Sequence, residues 1–143
     1  MIKDNEKAAV GEGQLLADLL PTLPWNADGL LPAIAQQYDT GEVLMMAWVN
    51  EQALLETMKN MRVCYWSRSR QAFWRKGESS GQVQLLKEAR LDCDGDTLLF
   101  LVDQTGPACH TGRKSCFYNL IDGDKVIVDK EPLMSQEELY GKK

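Results

Sequence analysis

Three carboxylates alternate through Asp92-Cys93-Asp94-Gly95-Asp96, with a cysteine inside the run. At i, i+2 and i+4 they share one face of an extended chain, and a bend at the glycine would bring them together. Like charges so close repel unless a cation lies between them, and hard oxygen donors suit Mg²⁺ or Ca²⁺. A calcium loop of the EF-hand type does not fit. Thr97 stands where that loop needs glycine, and Leu98-Leu99-Phe100-Leu101-Val102 reads as buried strand. The aspartates alone would also suit an ordinary Asp-Gly turn between strands. Cys93 is harder to place in such a turn, because three acids disfavour its thiolate. A divalent metal on the sulfur removes that conflict, since a coordinating thiol is deprotonated outright.

The chain has four cysteines and one histidine. It has no C-x-x-C, so it offers neither a thioredoxin-like pair nor a zinc-ribbon knuckle. Cys93, Cys109 and Cys116 form C-x₁₅-C-x₆-C, the spacing of no common structural finger. Three thiolates would leave one tetrahedral position open, the mark of catalytic zinc, where bound water falls to a pKa of about 7. Cys64 as a fourth ligand would close the site. In Val63-Cys64-Tyr65-Trp66, however, it reads as a small buried hydrophobe. His110 adjoins Cys109 and is the only imidazole. It is the candidate for proton transfer near neutral pH, against the plain alternative of a surface or structural histidine.

Between Arg62 and Lys76 lie Arg62, Arg68, Arg70, Arg75 and Lys76 with no acid among them, a local +5 in a chain of −5. Tyr65, Trp66, Phe73 and Trp74 are interleaved. Cations pair with phosphates and aromatic faces stack on bases. Lys76-Gly77-Glu78-Ser79-Ser80-Gly81 then forms a glycine-flanked turn whose N–H groups and hydroxyls could wrap a phosphate. A strand with a solvated basic face and buried aromatics is the bland alternative. Overall acidity favours a small nucleotide over a nucleic-acid backbone, which rewards many cations over a broad face.

These residues need a scaffold. Leu15, Leu16, Leu19 and Leu20 recur at helical spacing, with Pro21 and Pro24 to stop them. Ala33–Tyr38 and Val43–Val49 flank the turn-forming Asp39-Thr40-Gly41-Glu42 and predict a hairpin. Asn50 is a good N-cap for a helix whose apolar face is Leu54, Leu55 and Met58. Val63–Trp66, Val83–Leu91, Thr97–Val102, Phe117–Ile121 and Lys125–Val128 read as strands, the last two closed by Asp122-Gly123-Asp124. Ser135 and Glu138 have capping-box spacing for a short terminal helix. The expectation is an α+β domain, mainly antiparallel β sheet and barrel-like, with two helices in the first half.

With 143 residues, one domain over 1–143 is expected, with a polar, frayed stretch at 1–12. Hydrophobic residues at 44% and charged residues at 26% exclude a disordered or fibrous chain. The longest apolar run, Val43 to Val49, is far too short to span a bilayer, and the N-terminus lacks the apolar core of a secretory signal. A cytoplasmic enzyme without membrane or nucleic-acid partners is therefore expected.

Taken together, Tyr65-Trp66-Ser67-Arg68-Ser69-Arg70, Trp74-Arg75-Lys76-Gly77-Glu78-Ser79-Ser80-Gly81, Asp92-Cys93-Asp94-Gly95-Asp96, Ala108-Cys109-His110-Thr111-Gly112 and Ser115-Cys116-Phe117 resemble one family, the phosphoribosyl-AMP cyclohydrolases of histidine biosynthesis. The resemblance covers roughly residues 25 to 121. It departs at Ser79, where the family more often has Thr, and at Gln82, where Asn is expected. Neither touches a candidate metal ligand. The resemblance implies zinc on Cys93, Cys109 and Cys116, one ion per subunit, and magnesium on Asp92, Asp94 and Asp96. It also implies an intertwined homodimer whose zinc site takes ligands from both chains.

The implied reaction adds water at C6 of the N1-phosphoribosylated adenine and breaks the N1–C6 bond, giving the phosphoribosyl-formimino aminoimidazole carboxamide nucleotide. N1 substitution makes the purine electron-poor, so C6 is electrophilic. His110 or Glu78 would move the proton from water towards N1. Arg68, Arg70 and Lys76 would anchor the two phosphates, Trp66 or Trp74 would stack on a base, and Ser67, Ser69, Ser79 and Ser80 would complete the substrate contacts. Two other readings compete. A zinc nucleobase deaminase lacks its H-x-E and P-C-x-x-C signature here, because His110 is followed by Thr111 and Gly112. A zinc-stabilised RNA- or single-strand-binding module would use the basic aromatic segment and a fully closed metal site.

Overall fold

The computed structural model describes residues 1–140. Its frame is a six-stranded sheet in the order β4-β3-β2-β1-β6-β5 and a separate two-stranded hairpin, β7-β8. The strands are β1 (Leu31–Gln37), β2 (Val43–Val49), β3 (Cys64–Ser67), β4 (Ala72–Arg75), β5 (Gln84–Leu91), β6 (Leu98–Gln104), β7 (Asn119–Asp122) and β8 (Lys125–Val128). The helices are α1 (Leu16–Leu19), α2 (Glu51–Asn60) and α3 (Gln136–Tyr140), so the α+β class holds. Single 3₁₀ stretches cover Ile2–Lys7 and Leu20–Thr22, the latter ending the Leu15–Leu20 pattern at Pro21. No helix among the described residues is long and apolar enough to cross a membrane.

The hairpin expected around residues 39–42 is β1-β2. The sheet is mainly antiparallel, as expected, but mixed: β1 pairs β6 in parallel, Ala33 opposite Leu98 through Gln37 opposite Val102. Sixty residues of intervening chain, including α2, let β6 return in the same direction as β1, which a tight turn cannot do. Alternate residues of both strands (Leu31, Ala33 and Ala35; Leu98, Phe100 and Val102) are buried in one core with Leu44, Val49, Leu54 and Tyr65. The sheet also curls. The edge strand β5 meets the segment leading into β3, where Val63 N–H donates to Gln84 O at 3.0 Å and Leu86 N–H to Met61 O at 2.8 Å. Arg62 pairs with Leu85 at the same place. The basic aromatic segment is thereby held between two parts of the sheet.

Asn50 caps α2 as expected, its Oδ1 accepting from Ala53 N–H at 2.8 Å. Thr57 ties the helix to β3: its buried Oγ1 donates to Ala53 O and accepts from Cys64 N–H at 2.9 Å. The strand expected from Phe117 begins only at Asn119. Cys116 N–H is instead taken by Leu44 O at 2.7 Å, and Phe117 N–H by Ser115 Oγ at 3.0 Å, so this stretch is pinned to β2.

Candidate active site

Strand β4 runs Ala72-Phe73-Trp74-Arg75 and delivers Lys76 into the protein. Lys76 is only 6% exposed, unusual for a lysine. Among the described residues its ammonium has no carboxylate within ion-pair distance; it lies 5.8 Å from the centre of the Trp74 ring. Burial lowers its pKa, and the sulfurs of Cys116 and Cys109 oppose that shift. Desolvating an ammonium without an anion is costly, so the arrangement is that of a charge awaiting a negative ligand.

A cavity of about 280 Å³ opens at this ammonium. Trp74, Lys76, Ser79, Ser80, His110 and Cys116 are among the residues that line it, and Arg70 reaches it from the preceding turn. The serines come from a loop that folds straight back on itself: Gly77 has φ +88°, and a Cβ there would lie 2.5 Å from Val83 N. Gly81 N–H closes the loop on Gly77 O at 2.8 Å. The glycine-flanked turn read from the sequence therefore faces the same cavity as the cation.

Trp74 also borders a second, more open groove of about 570 Å³, lined by Met46, Trp48, Trp66, Ser67, Arg68 and Ser69 among others. Arg68 stacks 4.8 Å from the Trp48 ring centre, and Trp66 meets Phe73 edge-on at 5.1 Å. The substrate-binding candidates thus split into two sets with Trp74 common to both. Glu78 belongs to neither. Its exposed carboxylate points to Arg75, 3.8 Å away, and with Glu56 it borders a separate small hollow.

Cys109 and Cys116 are neighbours. Burial first, then the adjacent Cys109 sulfur, pushes the Cys116 thiol up to about 12. Thr111 Oγ1 donates to Cys109 Sγ at 3.1 Å, and Cys109 N–H to Arg113 O closes the tight turn that carries His110 exposed at its tip. Both thiols are free, and a dithiolate here is disfavoured unless a cation joins it. Cys93 lies elsewhere in the chain, exposed beside Ile2, Asn5 and Glu6. Among the described residues it does not gather with Cys109 and Cys116 to within 4.8 Å, whereas the carboxylates of Asp92, Asp94 and Asp96 do gather to that distance. Asp96 is pushed above its ordinary value first by Asp92 and then by Asp94, which is the repulsion expected of a crowded triplet. Asp92 Oδ1 accepts from the N–H groups of Asp96 and Thr97 at 2.9 and 3.3 Å, fixing the bend. Cys64 is buried against Tyr65 O, as a small core residue should be.

A sequence profile described as phosphoribosyl-AMP cyclohydrolase matches residues 45–118. The chain is similar to the phosphoribosyl-AMP cyclohydrolase of Alkalilimnicola ehrlichii, at 66% identity over 98% of this chain and 99% of that protein. It is also similar to that of Halorhodospira halophila, at 63% identity over 99% of both. The chain belongs to the phosphoribosyl-AMP cyclohydrolase family. It is an enzyme of that family.

The matched region contains the cavity's cation, its serine loop, the aspartate bend and the three candidate zinc cysteines of this cyclohydrolase. Two wall residues lay outside the sequence reading. Met45 is a core-strand residue whose alternation pattern carries no functional mark. Tyr140 reaches the cavity from α3, nearly a hundred residues of chain away from β2 and beyond the matched region. No local pattern in the sequence announces either contact.

Proposed function

We propose that this enzyme opens the adenine ring of N1-(5-phosphoribosyl)-AMP at the N1–C6 bond, in the histidine pathway of the cytoplasm, as a homodimer. Its zinc ligands would be Cys93, Cys109 and Cys116, and Asp92, Asp94 and Asp96 would hold magnesium. The observation that carries the reading is the buried Lys76 ammonium, without an anion among the described residues, in one cavity with His110 and the edge of a free cysteine pair.

The donor sets suit these ions: soft thiolates for zinc, hard carboxylates for magnesium. Zinc bound at the cysteines would supply Lewis acidity, bringing the pKa of a water to about 7. The remaining work falls to side chains. Lys76 and the Ser79–Ser80 loop hold a phosphate, and Arg70 adds a second cation at the rim. Trp74 packs on a flat base and separates the cavity from the groove, where Arg68 and Ser67 can take the second phosphoribosyl group. His110 is the proton carrier between the attacking water and N1, because it lines the cavity while Glu78 is turned to Arg75.

Two observations support a dimer. The cysteine pair needs a third sulfur, and the exposed Cys93 can reach it only from a second copy if the chain keeps this conformation. The β7-β8 hairpin leaves Leu120, Ile121, Val126, Ile127 and Val128 all exposed, an apolar ribbon that a monomer would not leave in water. The test is turnover of phosphoribosyl-AMP, followed by the change in purine absorbance, with zinc and magnesium present and again after chelation. Ring opening that a chelator stops and zinc restores is expected. Full turnover in metal-free protein overturns the zinc assignment, and no turnover with both metals overturns the reaction.

A further inference from the structure

The chain after β8 crosses back over the cysteine turn as a strap. Asp129 N–H donates to Tyr118 O at 3.0 Å, and Arg113 Nε donates to Lys130 O at 2.7 Å. Leu133 N–H donates to Gly112 O at 2.8 Å. Contact at that point is so close that a Cβ on Gly112 would sit 1.8 Å from Met134 O. Gly112 also has φ +87°, so both the backbone shape and the space select glycine.

The strap ends in α3, opened by a reciprocal cap. Glu138 N–H donates to Ser135 Oγ at 3.0 Å, and Ser135 N–H to Glu138 Oε1 at 3.2 Å. The two apolar residues at its end divide the work. Leu139, 5% exposed, anchors the helix. Tyr140 remains 49% exposed and lines the cavity together with Trp74. Its hydroxyl has no hydrogen-bond partner among the described residues.

We propose that Tyr140, carried to the cavity by the strap, is a substrate-binding residue whose ring packs against the nucleotide held by Lys76 and Trp74. The proposal rests on the nucleotide reading of the cavity. A half-exposed aromatic ring in the same cavity wall as a buried cation is a combination that takes a phosphate with a flat base attached. The segment lies beyond residues 45–118, outside the region that the family profile matches.

The test uses the full-length, metal-loaded protein with two readouts: steady-state kinetics on phosphoribosyl-AMP, and the affinity for AMP as a non-reacting probe. Removing an aromatic–base contact weakens binding by about five- to a hundred-fold. Tyr140→Ala should raise both KM and the AMP dissociation constant within that range and leave kcat within about twofold, whereas Tyr140→Phe, which keeps the ring, should match the parent. Unchanged AMP affinity in a folded Tyr140→Ala overturns the proposal, as does equal weakening in both variants. Leu139→Ala, which loosens α3 without lining the cavity, should shift the AMP affinity in the same direction. If the parent binds AMP but does not open phosphoribosyl-AMP, the reaction assignment fails while the AMP arm still decides the role of Tyr140.

Discussion

Glu56 on α2 and Arg75 at the end of β4 are joined by a two-bond fork, Nε to Oε2 and Nη2 to Oε1, each 2.8 Å. The next residue in the chain is Lys76, so the helix fixes the strand end that presents the buried cation. Arg75 holds the Glu56 carboxyl below its ordinary value of 4.5, against a smaller opposing effect of desolvation. A depressed carboxylate contributes stability that is fully present above its unfolded value and lost as pH falls through the folded one. The melting temperature of the parent should therefore exceed that of Glu56→Gln near neutral pH, and the two should converge as the solution is taken from about pH 6 to about pH 3. A gap that persists unchanged into acid would show that the fork contributes nothing through its charge.

Removing the cation tests the anion site directly. Lys76→Met keeps the length of the side chain and its packing beside Trp74 but deletes the ammonium. A hydrogen bond to a charged group is worth about 1.5–3 kcal/mol, which is roughly a ten- to hundred-fold loss in kcat/KM. Because the parent buries a charge that has no ion-pair partner among the described residues, the variant should be at least as stable to urea. Weakened AMP binding together with unimpaired stability is the expected pair of results. Loss of stability with full AMP affinity would make Lys76 a structural residue.

The proposed sharing of zinc ligands between two chains makes a quantitative prediction. Cys93→Ala and Cys109→Ala should each lose zinc and activity together. Mixed after dissociation and reassociation, the two inactive variants would form heterodimers holding one site with Cys93 from one chain and the Cys109–Cys116 pair from the other. Random pairing makes about half the dimers mixed, each with one complete site, so about a quarter of the parent activity should return. If all three ligands come from one chain, mixing restores nothing.

Much of this was legible before folding because local chemistry announces it. Asn50 as a cap, the Asp122-Gly123-Asp124 hairpin and the Ser135–Glu138 capping box all form as their residue types dictate. The Gly77–Gly81 loop and the aspartate bend are equally local: the loop folds back to line the cavity, and the bend gathers its three carboxylates. Non-local pairing was not legible. Nothing in Leu31–Gln37 or Leu98–Gln104 says that they lie parallel, because each buries three apolar side chains and a final glutamine on one face, a pattern that either direction would satisfy. The turn before β4 hid in the same way: Gln71 takes φ +51°, a conformation that the sequence Ser69-Arg70-Gln71 does not advertise. The contact of Glu78 with Arg75, 3.8 Å away and three residues earlier, is likewise set by the fold and carries no mark in the sequence.

The interior offers a last test, of stability rather than catalysis. Tyr65 is fully buried on β3, and its hydroxyl donates to Gln84 Oε1 at 2.8 Å; burial raises its pKa far above the ordinary value, so it remains a donor. Gln84, also buried, turns its amide N–H to Met45 Sδ at 3.3 Å. The chain of contacts therefore links β3 through β5 to Met45 in the cavity wall. Tyr65→Phe keeps the ring contacts with Trp74 and Phe100 but leaves the Gln84 carbonyl without a donor. A buried acceptor left unsatisfied costs about 1–3 kcal/mol. Urea unfolding should show that loss at an unchanged m-value, and replacing Gln84 as well, in Tyr65→Phe/Gln84→Met, should recover part of it because the orphaned carbonyl is gone. Additive losses in the double variant would mean that the two side chains act independently and that no buried network spans the two strands.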